Sequence, residues 1–232
     1  MDPIYLDYAA TAPLRPEVRE AMLPYMDERF GNPSSLHRWG REARAALEDA
    51  RARLAQVLGA GPLEVLFTRG GTEADNMAVL GRAHFAPRSP VVCSAIEHKA
   101  VLAAARATTR LAGSAFHVVG VNADGVVREE ELYAHLEAKP AVVSVMWANN
   151  EVGSVQPVQR IAERCLEAGV AFHTDAVQAF GKLEVRVDRV PAAMLSLSAH
   201  KVGGPKGVGA LFARKGRLMP KLYRELAILR TG

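Results

Sequence analysis

The chain has 232 residues, 49% of them hydrophobic and 23% charged, with a formal net charge of +4. That length suits one domain, or one and a part, with a sizeable core, and the balance is that of an ordinary globular protein. Acidic and basic residues interleave, as over 38–53, and two cysteines, Cys93 and Cys165, form neither a disulfide framework nor a metal pattern. A nucleic-acid-binding stripe, a zinc finger and a cystine-stapled scaffold are therefore not expected.

The first residues, Met1 to Asp7, lack a basic n-region and an apolar h-region, so no signal peptide is expected. No run approaches the roughly 18 apolar residues of a membrane span. A cytoplasmic, reducing setting follows as the expectation. The segment 12–39 carries Pro13, Pro16, Pro24 and Pro33 and is expected to wrap the core before the first long helix. Residues 40–58 then place Ala43, Leu47, Ala50, Leu54 and Val57 at helical spacing, with Gly59 as a stop.

Short apolar runs alternate with helical patterns from there on. Strands are predicted over 65–68, 91–94, 116–119, 142–147, 170–174, 194–197 and 208–212, and helices over 73–84, 98–111, 129–137 and 158–168. Repetition of strand, helix, strand implies an α/β fold with a mainly parallel sheet covered by helices on both faces. Polar clusters follow five of the strands: 68–72, Glu97 and His98, Asn149 and Asn150, 175–178, and 198–201. In such a sheet ligands gather at the carboxyl ends of strands, so the five clusters are expected to converge.

Each cluster has a chemistry. Arg69-Gly70-Gly71-Thr72 opens a helix, where free N–H groups and a hydroxyl form an anion seat; a plain helix cap reads from the same residues. It is not a GxxxxGK[ST] loop, and no GxGxxG follows. Asp175 at a strand end calls for a cationic partner, or caps the next helix. His98 suits proton transfer, or fills an ordinary structural place. No spacing of histidines suggests a metal. Lys201, in the segment from Ser196 to Phe212, lies between two apolar runs, and burial there would lower its pKa. A neutral amine is the nucleophile that condenses with an aldehyde cofactor. A surface lysine in a hairpin loop reads equally from that segment.

The stretch SAHKVGGPKGVGALF, 198–212, resembles the cofactor-lysine segment of the NifS/IscS-type cysteine desulfurases, of the class V aminotransferase superfamily and fold-type I pyridoxal-phosphate (PLP) enzymes. YLDYAATAP at 5–13, GNPSSLHRWGREAR at 31–44, FTRGGTEADN at 67–76, AIEHKAVL at 95–102, WANNEVGSVQPV at 147–158 and HTDAVQAFGK at 173–182 match in the family's order. The resemblance implies a PLP-binding large domain over 15–232, an N-terminal arm over 1–14 that belongs to the small domain, and most of that small domain absent. It implies PLP as cofactor, held by Gly71, Thr72, Asn150, Asp175, Gln178, Ser198, His200 and Lys201. Lys201 and His98 would be catalytic, with His98 stacked on the ring and Gln178 donating to its phenolic oxygen. L-cysteine would be the substrate, alanine and protein-bound sulfur the products, for iron–sulfur cluster or thio-cofactor assembly. A homodimer and a sulfur-acceptor or scaffold protein would be partners. A non-catalytic remnant that binds or dimerises, and another class V reaction such as transamination or selenocysteine lysis, are the alternatives.

The family's persulfide cysteine, substrate-binding arginine and Gly-rich GGGQE stretch have no counterpart after Phe212, and the sequence ends Arg230-Thr231-Gly232. Neither Cys93, read as a strand residue, nor Cys165, read on a helix among charged neighbours, is expected to replace that cysteine. Little or no sulfide release by this chain alone is the expectation, with apolar surface near the arm and residues 220–229.

Overall fold

The computed structural model describes residues 3–216. Helices α1 (Pro16–Met26) and α2 (Arg38–Leu58) lead into an alternation of β1 (Val65–Thr68), α3 (Gly71–Phe85), β2 (Val91–Ser94), α4 (Lys99–Leu111), β3 (Phe116–Val119), α5 (Glu129–Ala134), β4 (Val142–Ser144), α6 (Val158–Glu167) and β5 (Phe172–Asp175), closed by the hairpin of β6 (Met194–Ser198) and β7 (Gly209–Ala213). The sheet order is β1-β7-β6-β5-β4-β2-β3. Neighbours from β6 to β3 pair in parallel. Strand β7 is antiparallel both to β6 and to β1, so β1 points the same way as the parallel set.

Alternation along the strands splits the core in two. Leu195, Leu197, Ala210 and Phe212 pack on one face with Leu58 of α2, Leu132 of α5 and Ile161 of α6. Met194, Leu211 and Ala213 pack on the other with Ala74 and Ala78 of α3 and Val101 and Ala105 of α4. The helices supply these faces by spacing: α6 buries Val158, Ile161, Ala162 and Cys165 at i, i+3, i+4 and i+7. Helix α2 starts where the His37 side chain accepts from the Gly40 N–H and stops at Gly59, left-handed at φ 70°.

Several expectations are refined. The proline-rich segment holds a short helix of its own ahead of the long one: Pro16 stands in the first turn of α1, where its missing N–H costs nothing, and Pro24 is tolerated near the other end. The strand expected over 142–147 is regular to Ser144; beyond it the Val145 and Trp147 N–H groups still donate to the His173 and Asp175 carbonyls of β5, while on the β2 side the Met146 N–H turns to the Glu97 carboxyl. The predicted helix over 129–137 also tightens to a 3-10 turn after Ala134. Cys165 is buried in the core, not set among its charged helix neighbours. Residues 220–229 lie outside the described residues.

Phe172, fully buried on β5, joins α6 to the sheet. Phe172→Ala should cost about 3–5 kcal/mol, read as a lower urea midpoint with an unchanged slope.

Candidate active site

Because the strands that carry them point the same way, the expected clusters meet at one edge of the sheet. One cavity of about 480 Å³ is lined by Gly71 and Thr72 after β1, His98 after β2, Asn150 after β4, Asp175 and Gln178 at and beyond β5, and Ser198, His200 and Lys201 at and beyond β6. All the candidate site residues are therefore brought together. Glu97 and Asn149 are not part of the lining: Glu97 lies under the floor, and the Asn149 amide donates to the Ile96 carbonyl at 3.1 Å.

The anion seat is built by close approach. Gly70 turns at φ 154°, ψ 179°, a conformation open to glycine, and frees the first N–H groups of α3. A Cβ on Gly209 would lie 2.6 Å from the Gly70 backbone, so only a glycine in β7 lets this turn sit against the hairpin. A Cβ on Gly71 would meet Val177 at 2.8 Å. Thr72, Ser198 and His200 surround the helix N-terminus with two hydroxyls and an imidazole, next to its positive dipole end.

Asp175 accepts from the Val177 N–H at 2.9 Å through Oδ1. Burial raises its pKa, while that hydrogen bond and the nearby His98 and Lys201 act in the other direction. His98 caps α4, its Nδ1 accepting from the Ala100 N–H at 3.1 Å, which leaves the proton of a neutral ring on Nε2. Gln178 donates through Nε2 to the Ala9 carbonyl at 2.8 Å and accepts from Lys182 Nζ at 2.8 Å, so its amide is engaged by the arm and not free for a ligand.

Lys201 is placed on a short 3-10 turn after β6 and is half buried, between the interstrand and the surface placements that the segment left open. Desolvation and the nearby Lys182 lower its pKa, opposed by Asp175 and Asp7. Its Nζ donates to the carbonyls of Ala9 at 2.5 Å and Ala10 at 2.7 Å. The arm is fastened around it: Ala12 N–H donates to the His200 carbonyl, Arg15 N–H to that of Gly203, and Thr11 Oγ1 meets His200 Nδ1 at 3.1 Å. Asp7, Ala9 and Ala10 thus enter the lining, as do Asp75, Met146, Glu151 and Val177, none of them singled out in the sequence. The arm's matched motif at 5–13 was the available signal for the first three.

A planar, anionic, ring-bearing ligand fits this donor set. The helix N-terminus and hydroxyls suit an anion, Asp175 is a buried carboxylate with no ion pair among the described residues, and an amine stands at the cavity's side. Cys93 and Cys165 are buried, each with its thiol pushed up to about 12, and neither lines the cavity.

The profile of the family described as Aminotransferase class-V matches residues 4–224. The cysteine desulfurase IscS of Dictyoglomus turgidum is 46% identical over 216 residues, covering 92% of this chain and 54% of that protein. The cysteine desulfurase of Cereibacter sphaeroides is 49% identical over 226 residues, covering 97% and 58% respectively. Among solved structures, SspA in complex with cysteine superposes with a TM-score of 0.87 at 36% identity, covering 92% of this chain and 62% of that one. A NifS-like protein does so with 0.87 at 38%, covering 92% and 60%. The chain thus spans a little over half the length of the curated relatives it matches.

His173, beneath the cavity, is fully buried, and desolvation lowers its pKa to about 3. The folded value lies below the ordinary 6.5, so the stability its neutral ring contributes is whole above about pH 6.5 and is lost as pH falls toward 3. His173→Gln should be less stable than the parent at neutral pH, and the gap in urea midpoint should narrow over that acidic window.

Proposed function

We propose that this chain, which belongs to the class-V aminotransferase family, is the cofactor-bearing part of a cysteine desulfurase that takes sulfur from L-cysteine and leaves alanine. The observation that carries the reading is the convergence of Lys201, Asp175, His98 and the α3 N-terminus on one cavity. Names of relatives at 46–49% identity and a neighbour's complex with cysteine support it. The cysteine desulfurases of this family are PLP-dependent.

Bound PLP supplies an aldehyde carbon and an electron-withdrawing ring, which together stabilise negative charge at a substrate carbon. Gly71, Thr72, Ser198 and His200 would hold its phosphate, because the helix N-terminus gathers N–H donors and hydroxyls on one side of the cavity. Asp175 would keep the ring nitrogen protonated, its charge compensated there instead of by a side chain. His98, with Nε2–H free once Nδ1 caps α4, would lie on the ring face and hold a proton near the substrate. Lys201 would leave Ala9 and Ala10 to take the aldehyde carbon, and afterwards move protons as a free amine. Asn150 stands at the cavity wall, and Gln178 would reach the phenolic oxygen once it gives up Ala9. The residues 1–14 would form an arm and 15–232 the cofactor domain.

The same reading carries a homodimer, a sulfur-acceptor protein and a cytoplasmic place. Exposed Leu23, Met26, Phe30, Leu36 and Trp39 on and around α1 and α2 support a second copy. Sedimentation should show a dimer; a monomer at high concentration would count against it.

The chain mixed with PLP should turn yellow, bleach with borohydride and carry the cofactor's mass on Lys201. Lys201→Ala should lose the covalent adduct while keeping weak, reversible binding through the anion seat. A colourless parent, or an adduct retained in Lys201→Ala, would overturn the assignment.

A further inference from the structure

A run of buried polar side chains crosses beneath the cavity and takes no part in the roles above. Glu97 accepts through Oε1 from Ser94 Oγ at 2.5 Å and from the Met146 N–H at 2.7 Å, and its Oε2 meets Ser144 Oγ at 3.3 Å. Ser144 Oγ meets His173 Nδ1 at 2.8 Å, and His173 Nε2 meets Ser196 Oγ at 2.9 Å and stands 3.7 Å from Asp75 Oδ1. Ser94, Ser144, His173 and Ser196 are all 0% exposed, Asp75 is 1% exposed, and Asp75 Oδ1 has no hydrogen-bond partner.

Three buried carboxyl groups, Asp75 on α3, Glu97 after β2 and Asp175 on β5, thus lie together, the first and last at the cavity's wall. The groups facing Glu97 are Cys93 and Ser94 of β2, Ser144 of β4 with the Met146 N–H after it, and His173 and Asp175 of β5. Asp75 of α3 and its own neighbour His98 complete the set. Among the described residues no lysine or arginine pairs with it. Of the three carboxyls, Asp175 is the one on which the Lys201 amine acts. Like charges this close cannot all be present without opposite charge, so the protons must stay on Asp75 and Glu97, on which Lys201 does not act.

We propose that Glu97, held through Oε1 by Ser94 and the Met146 N–H, is a positioning residue whose proton, on Oε2 and donated to Ser144 Oγ, keeps Asp175 the single negative charge of the floor and is released, Ser144 turning to donate, when a cationic pyridine ring is seated against Asp175. The step is a simple ionisation, in which the carboxyl O–H breaks and the proton passes to solvent. The inference rests on the PLP reading of the site. Burial, with the Asp175 charge adding to it, pushes Glu97 up to about 8, against the pull of its hydrogen bonds. Asp75 moves in the same direction, through burial and Asp175. His173 stays neutral between the two serines and adds no charge of its own.

Linkage makes the effect reciprocal: a ring cation that favours ionised Glu97 is itself bound more tightly when Glu97 is ionised. Carbon-13 NMR of the protein labelled at glutamate carboxyls reads it directly. The probe is 4′-deoxypyridoxine 5′-phosphate, which has ring and phosphate but no aldehyde, so reaction at Lys201 does not intrude. In the empty protein one resonance, absent from Glu97→Gln, should titrate near pH 8, and the probe should lower its midpoint by about one unit, a tenfold change in the proton equilibrium. Asp175→Asn should lower it similarly without any probe, which decides the matter even if Glu97→Gln fails to fold. A Glu97 midpoint in the ordinary carboxylate range near 4, or one that neither the probe nor Asp175→Asn moves, would overturn the proposal. If PLP and the probe fail to bind at all, the reading of the site falls; if they bind and the midpoint stays put, only the role of Glu97 falls.

Discussion

Strand direction is the constraint on which the rest depends. Strands β3, β2, β4, β5 and β6 run parallel, and β1 is restored to the same direction because β7 is antiparallel to both its neighbours. A parallel strand must be re-entered from the opposite edge, so each crossover leaves a polar turn at one edge only. The α3 N-terminus, His98, Asn150, Asp175 and the Lys201 turn share a cavity for that reason. The hairpin β6–β7 then brings Gly209 against both Ser198 and Thr68, which closes the anion seat from two sides.

That edge is also where the fold tolerates unfavourable electrostatics. Asp75, Glu97 and Asp175 are all buried and all shifted toward the protonated form by desolvation. A core built for stability alone would place apolar residues there, since a buried carboxyl without a cation in contact gains little. The hydrogen bonds with Ser94, Ser144 and the Met146 N–H limit the cost at Glu97. At Asp175 one backbone N–H does so, leaving capacity for a ligand cation. Buried charge of this kind, held by a rigid sheet, is preorganisation for an opposite charge.

Helix periods, strand runs and the polar cluster after each strand were legible along the chain, because apolar spacing and turn chemistry are local properties. They sufficed for the α/β class, for the cluster set and for most element bounds, with β1, β2 and β3 matching the expected runs. Quoted motifs added the family resemblance. Helix α1 was missed because its prolines outweighed the one position, Pro16 in the first turn, that favours a helix. Strand β4 was read too long because Val145 to Trp147 are as apolar as a strand, and only the Glu97 carboxyl, distant in sequence, diverts the Met146 N–H.

By itself, then, the sequence determined which residues could hold an anion, a ring cation and an aldehyde, since those capacities reside in side-chain chemistry and in glycine's lack of a Cβ. Only the tertiary structure decided how the residues are engaged. The arm's carbonyls at Ala9 and Ala10 occupy the Lys201 amine, and Ala9 occupies the Gln178 amide as well. The run from Glu97 to Asp75 joins residues from α3, β4, β5, β6 and the end of β2, whose separations along the chain hide it from any local pattern. Contacts of that range depend on the order in which strands are laid side by side, and burial, not sequence spacing, sets the charge each group carries.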